Sequence, residues 1–264
     1  MGFLDLWLSS FIVVMAFLTV LWVYSVIIKN ASIIDPFWGT GFVIIALFSL
    51  YITGNFHPRA LLVTTLVSIW GLRLSIYLFF RNLGHGEDPR YQQFRKDFGE
   101  KRYWWFSFFQ VFLLQGIIMS IVSLPLIGVI STPYQAGLGI VDYLLAALWL
   151  IGFVFEAGGD FQLASFKSNP ENKGKVMDKG FWRYTRHPNY FGNSVIWWSL
   201  GLFGVLYGNV FVVVSPILMT FLLVKVSGVG LLERTLKHTK PQYVDYIKNT
   251  SAFIPWFPKK SESS

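Results

Sequence analysis

The sequence predicts an all-α integral membrane protein, a bundle of seven transmembrane helices with the N-terminus outside, the C-terminus cytoplasmic and a C-terminal amphipathic helix. Three observations carry this. Of 264 residues, 54% are hydrophobic and only 14% are charged, against a usual charged share of about a quarter in soluble domains. Apolar runs of roughly 20 residues, long enough to cross a hydrocarbon core of about 30 Å, recur along the chain. The basic residues also sort to one side of those runs.

The runs, in order, are Leu6 to Ile28, Pro36 to Thr53, Ala60 to Phe80, Phe106 to Ile130, Leu138 to Phe166, Tyr190 to Tyr207 and Val210 to Val226. Helices are the default, because a membrane barrel would show short alternating segments instead. The first run has only the acidic Asp5 before it and is too long for the apolar core of a signal peptide, so it reads as a true span. At the second, Asp35 and Pro36 suit an N-cap and a first helical residue. After the seventh, Leu231, Leu232 and Leu236 suggest an amphipathic helix lying on or folding back against the bundle. Residues 1–258 then form a single membrane domain, with a frayed tail at 259–264.

With the N-terminus outside, the cytoplasmic segments hold Lys29, six basic residues from Arg81 to Arg102, six from Lys167 to Arg186 and seven from Lys225 onward, twenty of the 22 in the chain. That is the bias the positive-inside rule requires. The exceptions are Arg59 and the intramembrane Arg73. Loops beside anionic lipid are ordinarily basic, which accounts for the net charge of +8. Nucleic acid is not expected as a partner, since the basic residues are divided among separate loops. The absence of cysteine excludes disulfides, thiolate nucleophiles and cysteine-based metal sites.

Polar side chains inside or at the ends of spans are costly, so they are the first functional candidates. Arg73 and Tyr77 lie four residues apart, one face of a helix with Trp70; Arg73 either serves a site or pairs structurally with a carboxylate such as Asp35. Asp35, wedged among apolar residues between two spans, reads equally as a proton donor or as a helix cap. Glu156 and Asp160 share a helical face with Lys167, a spacing suited to a metal, to proton transfer or to hydrogen bonds with ribose hydroxyls. No intramembrane histidine completes a metal shell, and no metal is expected.

The segment from Phe181 to Asn193 is the densest group of donors in the chain. Arg183, Tyr184, Arg186 and His187 precede Pro188, a residue suited to a helix start, so side chains and open backbone N–H groups meet where an anion would be held. Asn189 and Asn193 follow on one helical face. The alternative is a headgroup anchor rich in Trp, Tyr and Arg. Glu233, Arg234, Tyr243 and Tyr246 follow the last span on the same side and would close a pocket.

Arg186-His187-Pro188-Asn189-Tyr190-Phe191-Gly192, with Gly159-Asp160-Phe161-Gln162 before it and Phe253-Ile254-Pro255-Trp256-Phe257-Pro258 after it, resembles the steroid 5-alpha-reductase superfamily, closest to its DUF1295 branch. The resemblance implies NADPH-dependent reduction of a carbon–carbon double bond conjugated to a ketone, in a steroid-like or other lipophilic substrate. It implies that NADPH is gripped by cytoplasmic loops and C-terminal helices without a Rossmann fold. By position it matches Asp160, Lys167 and Asn189, makes Arg186 and His187 phosphate partners and points to Arg81 and Asn82 after span three; the polar clusters add Tyr184, Asn193, Glu233, Arg234 and Tyr246 as cofactor candidates and Asp35, Tyr77 and Arg73 as catalytic ones. The Gln-Glu pair of the steroid reductases is missing from the first helices, which argues against a steroid. The alternative is an S-adenosylmethionine-dependent isoprenylcysteine or phospholipid methyltransferase, whose Arg-His-Pro-x-Tyr-x-Gly motif is shared. The expected partners are a lipophilic small molecule and membrane lipid, the expected state is a monomer, and the expected location is a bacterial inner membrane or the endoplasmic reticulum.

Overall fold

The computed structural model describes residues 1–133, 136–226, 233 and 242–259, and every regular element among them is helical. Among the described residues, five helical stretches are long and apolar enough to cross a membrane: Phe3–Ile27, Ala31–Thr53, Pro58–Asn82, Tyr103–Val122 and Ile140–Ser168. The chain divides into two compact units, residues 1–139 with 203–213, and residues 140–202 with 214–264.

Unit 1 begins with α1 (Phe3–Ile27), followed by a 3₁₀ turn (Ala31–Phe37), α2 (Trp38–Thr53) and α3 (Pro58–Asn82). Asp35 is not the cap of this second span. Asn30 is, its side chain accepting from the Ser32 N–H at 3.0 Å, and Asp35 falls within the 3₁₀ turn. The turn forms because Pro36 has no N–H to give a regular helix. α2 and α3 pack backbone against backbone, because a Cβ on Gly39 would strike the Gly71 carbonyl and one on Gly71 would lie 2.6 Å from the Gly39 oxygen. Phe42 and Trp70 fill the core beside this contact, edge to face at 5.7 Å.

The fourth apolar run is two helices, not one. α4 (Pro89–Phe98) lies in the preceding loop; α5 (Tyr103–Ser107), a π-helical stretch (Phe108–Leu113) and α6 (Leu114–Val122) then form the span, and α7 (Leu124–Ser131) is separate. Pro125 sets the break, since its ring clashes with the carbonyl four residues back and it offers no donor. The freed groups are satisfied locally: Leu126 N donates to Ser123 O at 2.9 Å, and Ser123 Oγ to Ser120 O at 2.9 Å. Every residue from Pro125 to Ile130 is buried, and α7 touches α1, α2, α3 and the 3₁₀ turn Val210–Val213. Arg59, one of the two basic residues outside the charge pattern, is buried with its guanidinium 3.8 Å from the Tyr207 ring centroid.

Unit 2 contains α8 (Ile140–Ser168), 3₁₀ turns at Pro170–Asn172 and Gly180–Arg183, the first part of α9 (Pro188–Tyr207), α10 (Val214–Phe221) running into a π turn (Leu222–Val226), and α11 (Tyr243–Asn249). α8 buries Leu145, Trp149, Gly152, Glu156 and Gly159, a spacing of three and four that marks a single helical face. The seventh apolar run is composite: 3₁₀, α and π pieces share its 17 residues, fewer than a straight helix needs for about 30 Å. Leu231, Leu232 and Leu236, the seat of the expected amphipathic helix, lie outside the described residues, as does all but the first residue of the 259–264 tail.

Candidate functional site

In unit 2, α8 and α9 run antiparallel, so carboxylates one turn apart on the first meet amides one turn apart on the second. Asn193 Nδ2 donates to Glu156 Oε2 at 3.2 Å, and Asn189 Nδ2 to Asp160 Oδ1 at 3.0 Å. Glycine makes the approach close enough: a Cβ on Gly192 would overlap the Glu156 N and the Gly152 oxygen, and one on Gly159 would lie 3.1 Å from Asn189 N. Glu156 is 2% exposed and Asp160 5%. Buried acids at this depth must be hydrogen-bonded to be tolerated, and the amides meet that need.

The segment Gly180–His187 folds back on the end of α8. Gln162 Oε1 accepts from Phe181 N at 2.9 Å, and Trp182 Nε1 donates to Gly159 O at 3.0 Å. Gly180 is needed at the turn, having φ +59° and the Gln162 side chain where a Cβ would stand. The C-terminal segment is strapped to the same stretch: Arg186 N donates to Ser251 O, Trp256 N to Tyr184 O and Thr185 Oγ1 to Phe253 O, each at 2.9 Å. The buried Tyr246 hydroxyl donates to Trp182 O.

Arg186 is the centre of the strap. Its Nε donates to Glu233 Oε1 at 2.7 Å, and its Nη1 to Ile247 O at 3.0 Å and Thr250 O at 2.5 Å. His187 Nε2 lies 3.4 Å from the same Glu233 oxygen, with its ring stacked on Tyr190. Burial alone would raise the Glu233 carboxyl, but the hydrogen bonds and charges of His187 and Arg186 outweigh it and hold the group at about 2. Burial, with the Glu233 charge adding to it, pushes the Tyr243 phenol up to about 12. Arg186 and His187, nominated for a phosphate, thus have protein partners here, and Arg234 lies outside the described residues.

A cleft of about 830 Å³ opens in the same unit, between the loop after α8 and α11. Lys175, Lys179 and Arg183 line it with Asp178, Asp245, Tyr246 and Asn249. Of the nominated cofactor residues only Tyr246 is among its lining. Asp160, Asn189 and Asn193 belong to the acid–amide ladder, Lys167 to the last turn of α8, and Tyr184 to the strap, its ring edge-on to Phe257. Of the basic residues of the cleft, Arg183 was visible in the donor-rich segment, while Lys175 and Lys179 were visible only as part of the inside charge.

In unit 1, Asp35 meets residues that sequence reasoning missed. Tyr91 Oη donates to Asp35 Oδ1 at 2.7 Å, Arg90 Nη2 lies 3.3 Å from Asp35 Oδ2, and Gln115 Nε2 donates to Tyr91 Oη at 3.3 Å. α4 is held in place for this. Asp88 caps it, accepting from Arg90 N at 2.9 Å, while Arg95 grips Glu87 through Nε at 3.1 Å and Nη2 at 2.8 Å. Glu87 Oε1 in turn accepts from Ala31 N at 2.7 Å, tying α4 to the turn that carries Asp35. Burial, then the Asp35 charge and hydrogen bond, raise the Tyr91 phenol, so it stays a donor. Although burial opposes it, hydrogen bonds from Arg90 lower Asp88. Arg73 and Tyr77 lie on α3, and Arg81 Nε donates to its neighbour Asn82 Oδ1 at 3.1 Å.

No solved structure matches the chain. It is 27% identical over 213 residues to an uncharacterized protein of Schizosaccharomyces pombe, an alignment covering 71% of this chain and 61% of that relative's length. The model of the family described as a protein of unknown function, DUF1295, matches residues 21–250. With nearly the whole helical region inside that match, the chain belongs to the DUF1295 family.

Proposed function

We propose that this chain is an NADPH-dependent membrane oxidoreductase that reduces a carbon–carbon double bond conjugated to a ketone in a lipophilic substrate, as the likeness of its motifs to the steroid 5-alpha-reductase superfamily implies. The observation that carries the choice of cofactor is the unit 2 cleft. Its Lys175, Lys179 and Arg183 suit a phosphate-bearing dinucleotide, and its Tyr246 and Asn249 suit the sugar and base. S-adenosylmethionine carries no phosphate and is a net cation with a single carboxylate, a poorer match to three basic residues that share the cleft with only two acids, Asp178 and Asp245. The acid–amide ladder of Glu156, Asp160, Asn189 and Asn193 fixes α9 against α8, and the Arg186–Glu233 clamp fixes the C-terminal wall of the cleft.

NADPH held by Lys175, Lys179 and Arg183 would supply hydride to the β-carbon of the enone, which would leave an enolate on the substrate. The chain's part is to stabilise that enolate oxygen and deliver a proton to the α-carbon. Asp35 with Tyr91 is a hydrogen-bonded acid and phenol fixed by Arg90, the kind of preorganised donor that enolate chemistry uses. Tyr77 and Arg73 are the second donor group. The reading extends to topology: the helices Pro188–Tyr207 and Val210–Val226 complete seven crossings, with the N-terminus outside and the basic loops cytoplasmic.

The test is thermal unfolding of the purified chain in neutral detergent with NADPH, NADH or S-adenosylmethionine. A ligand at a hundred times its Kd stabilises the native state by about 2.7 kcal/mol, so NADPH is expected to raise the midpoint by several degrees, and Lys175→Ala/Lys179→Ala/Arg183→Ala to abolish the rise. Stabilisation by S-adenosylmethionine without any by NADPH would turn the assignment to the methyltransferase class.

A further inference from the structure

A second cavity, of about 540 Å³, lies in unit 1 where α1 ends and α5 begins. Lys29, Arg95 and Lys101 line it against one acid, Glu100, with Ser25, Tyr103 and Ser107 among the other walls. Arg95 is fixed there: besides gripping Glu87, it donates to the Lys29 carbonyl at 3.3 Å, and its guanidinium lies 4.7 Å from the centroid of the Tyr103 ring. Two further features single the cavity out. Lys29 has φ +54°, alone among the described non-glycine residues in the left-handed region, where a helix end ordinarily has glycine. Tyr103 is 1% exposed, and its buried hydroxyl has no hydrogen-bond partner among the described residues.

The surroundings are those of a bilayer interface. Trp22 Nε1 donates to Trp104 O at 3.0 Å, joining the ends of two candidate spans beside the cavity. On those ends Ile27 is 71% exposed and Trp104 54%, with Tyr24, Trp105 and Phe109 also outward. Aromatic side chains at a span end mark the headgroup level, and apolar ones below them meet acyl chains. A basic cavity at that level, next to apolar helix faces, matches a ligand with a phosphate and two hydrocarbon tails.

We propose that the cavity bounded by Lys29, Arg95, Lys101 and Tyr103 binds the phosphate of an anionic phospholipid headgroup, whose acyl chains lie along the exposed faces of α1 and α5. Lys29 and Lys101 neutralise the phosphate at the rim, Arg95 forms the fixed positive wall, and a headgroup oxygen reaching the floor takes the Tyr103 hydroxyl. The strained Lys29 backbone is retained because glycine, which fits the turn better, carries no charge.

The test uses the full chain in nanodiscs of phosphatidylcholine, with and without phosphatidylglycerol, and native mass spectrometry to count lipid retained after gentle release. Wild type is expected to keep phosphatidylglycerol over phosphatidylcholine by about tenfold or more. Lys29→Gly/Lys101→Gln is expected to lose about tenfold of that preference, within the weight of two basic residues at an anionic surface. Lys29→Gly relieves the left-handed strain, so the variant should melt no lower than wild type, and lost lipid is not lost fold. Equal retention of the two lipids by wild type, an unchanged preference in the double variant, or full displacement of phosphatidylglycerol by millimolar inorganic phosphate would each overturn the proposal, the last pointing to a free-phosphate site.

Discussion

Tyr91 and Asp35 are 56 residues apart in sequence and 2.7 Å apart in the fold. Tyr91→Phe removes the donor while leaving the Arg90 contact, so the variant should fold with a loss of about 1 to 2 kcal/mol in chemical denaturation. If the pair delivers the proton in the proposed reaction, kcat should fall by about a hundredfold or more with KM for NADPH unchanged. Turnover at the wild-type rate would pass the role to Tyr77, which Tyr77→Phe then tests. Asp35 was legible in the sequence because a carboxyl in an apolar stretch is rare and costly. Its partners were not, because Arg90 lies among six loop cations that positive-inside sorting already explains, and no local spacing ties a loop tyrosine to a distant span. The acid–amide ladder was half legible in the same way: each helix displays its own pair at i and i+4, but nothing in one helix names the other.

At the level of elements, glycine governs how the helices meet. Replacing a helical glycine by alanine ordinarily favours the helix by about 1 kcal/mol. At Gly192 the new methyl would overlap the Glu156 N and the Gly152 carbonyl oxygen, both backbone atoms that cannot swing aside. Gly192→Ala should therefore destabilise by about 2 kcal/mol or more through forced separation of α8 and α9, read as a lower melting midpoint. Gly84→Ala, in a loop where no atom lies within 4 Å, tests the converse: at φ +79° it should cost only the left-handed strain, about 1 kcal/mol.

The strap of the C-terminal segment makes a pH prediction. Glu233 is held at about 2 from an ordinary 4.5, so its clamp on Arg186 and His187 is fully present above about 4.5 and is lost as the pH falls toward 2. The full shift would correspond to about 3 kcal/mol, and solvent screening of the partly exposed carboxylate reduces this to about 1 to 2 kcal/mol. Glu233→Gln should lower stability at pH 7 by a sizeable part of that and flatten the loss of stability between pH 4.5 and 2, measured by denaturant midpoints across that range. Helix positions were legible at this scale because composition and length set them. The break at Pro125 was readable in principle from proline alone, but a continuous apolar run of 25 residues from Phe106 to Ile130 hid it.

For the whole molecule the open quantity is the number of crossings. Twenty of the 22 basic residues fall on one side whether there are seven crossings or five, and length and hydropathy give five qualifying helices among the described residues. Both counts place the end of the chain inside when the N-terminus is outside, so a C-terminal reporter cannot separate them. The turn at Val210 can: after five crossings it stays cytoplasmic with everything past Ser168, and after seven it emerges outside. The chain has no cysteine, so one introduced thiol is its only label site. With a membrane-impermeant maleimide on intact cells, Phe56→Cys should be labelled and Lys96→Cys and Lys173→Cys should be labelled only after permeabilisation. Val210→Cys, at a residue 60% exposed, should label on intact cells if the sixth and seventh runs cross. Labelling there only after permeabilisation would reduce the bundle to five spans and leave α9 and α10 as helices on the cytoplasmic side, where their buried Trp197, Phe203 and Met219 would have to be packed without a bilayer.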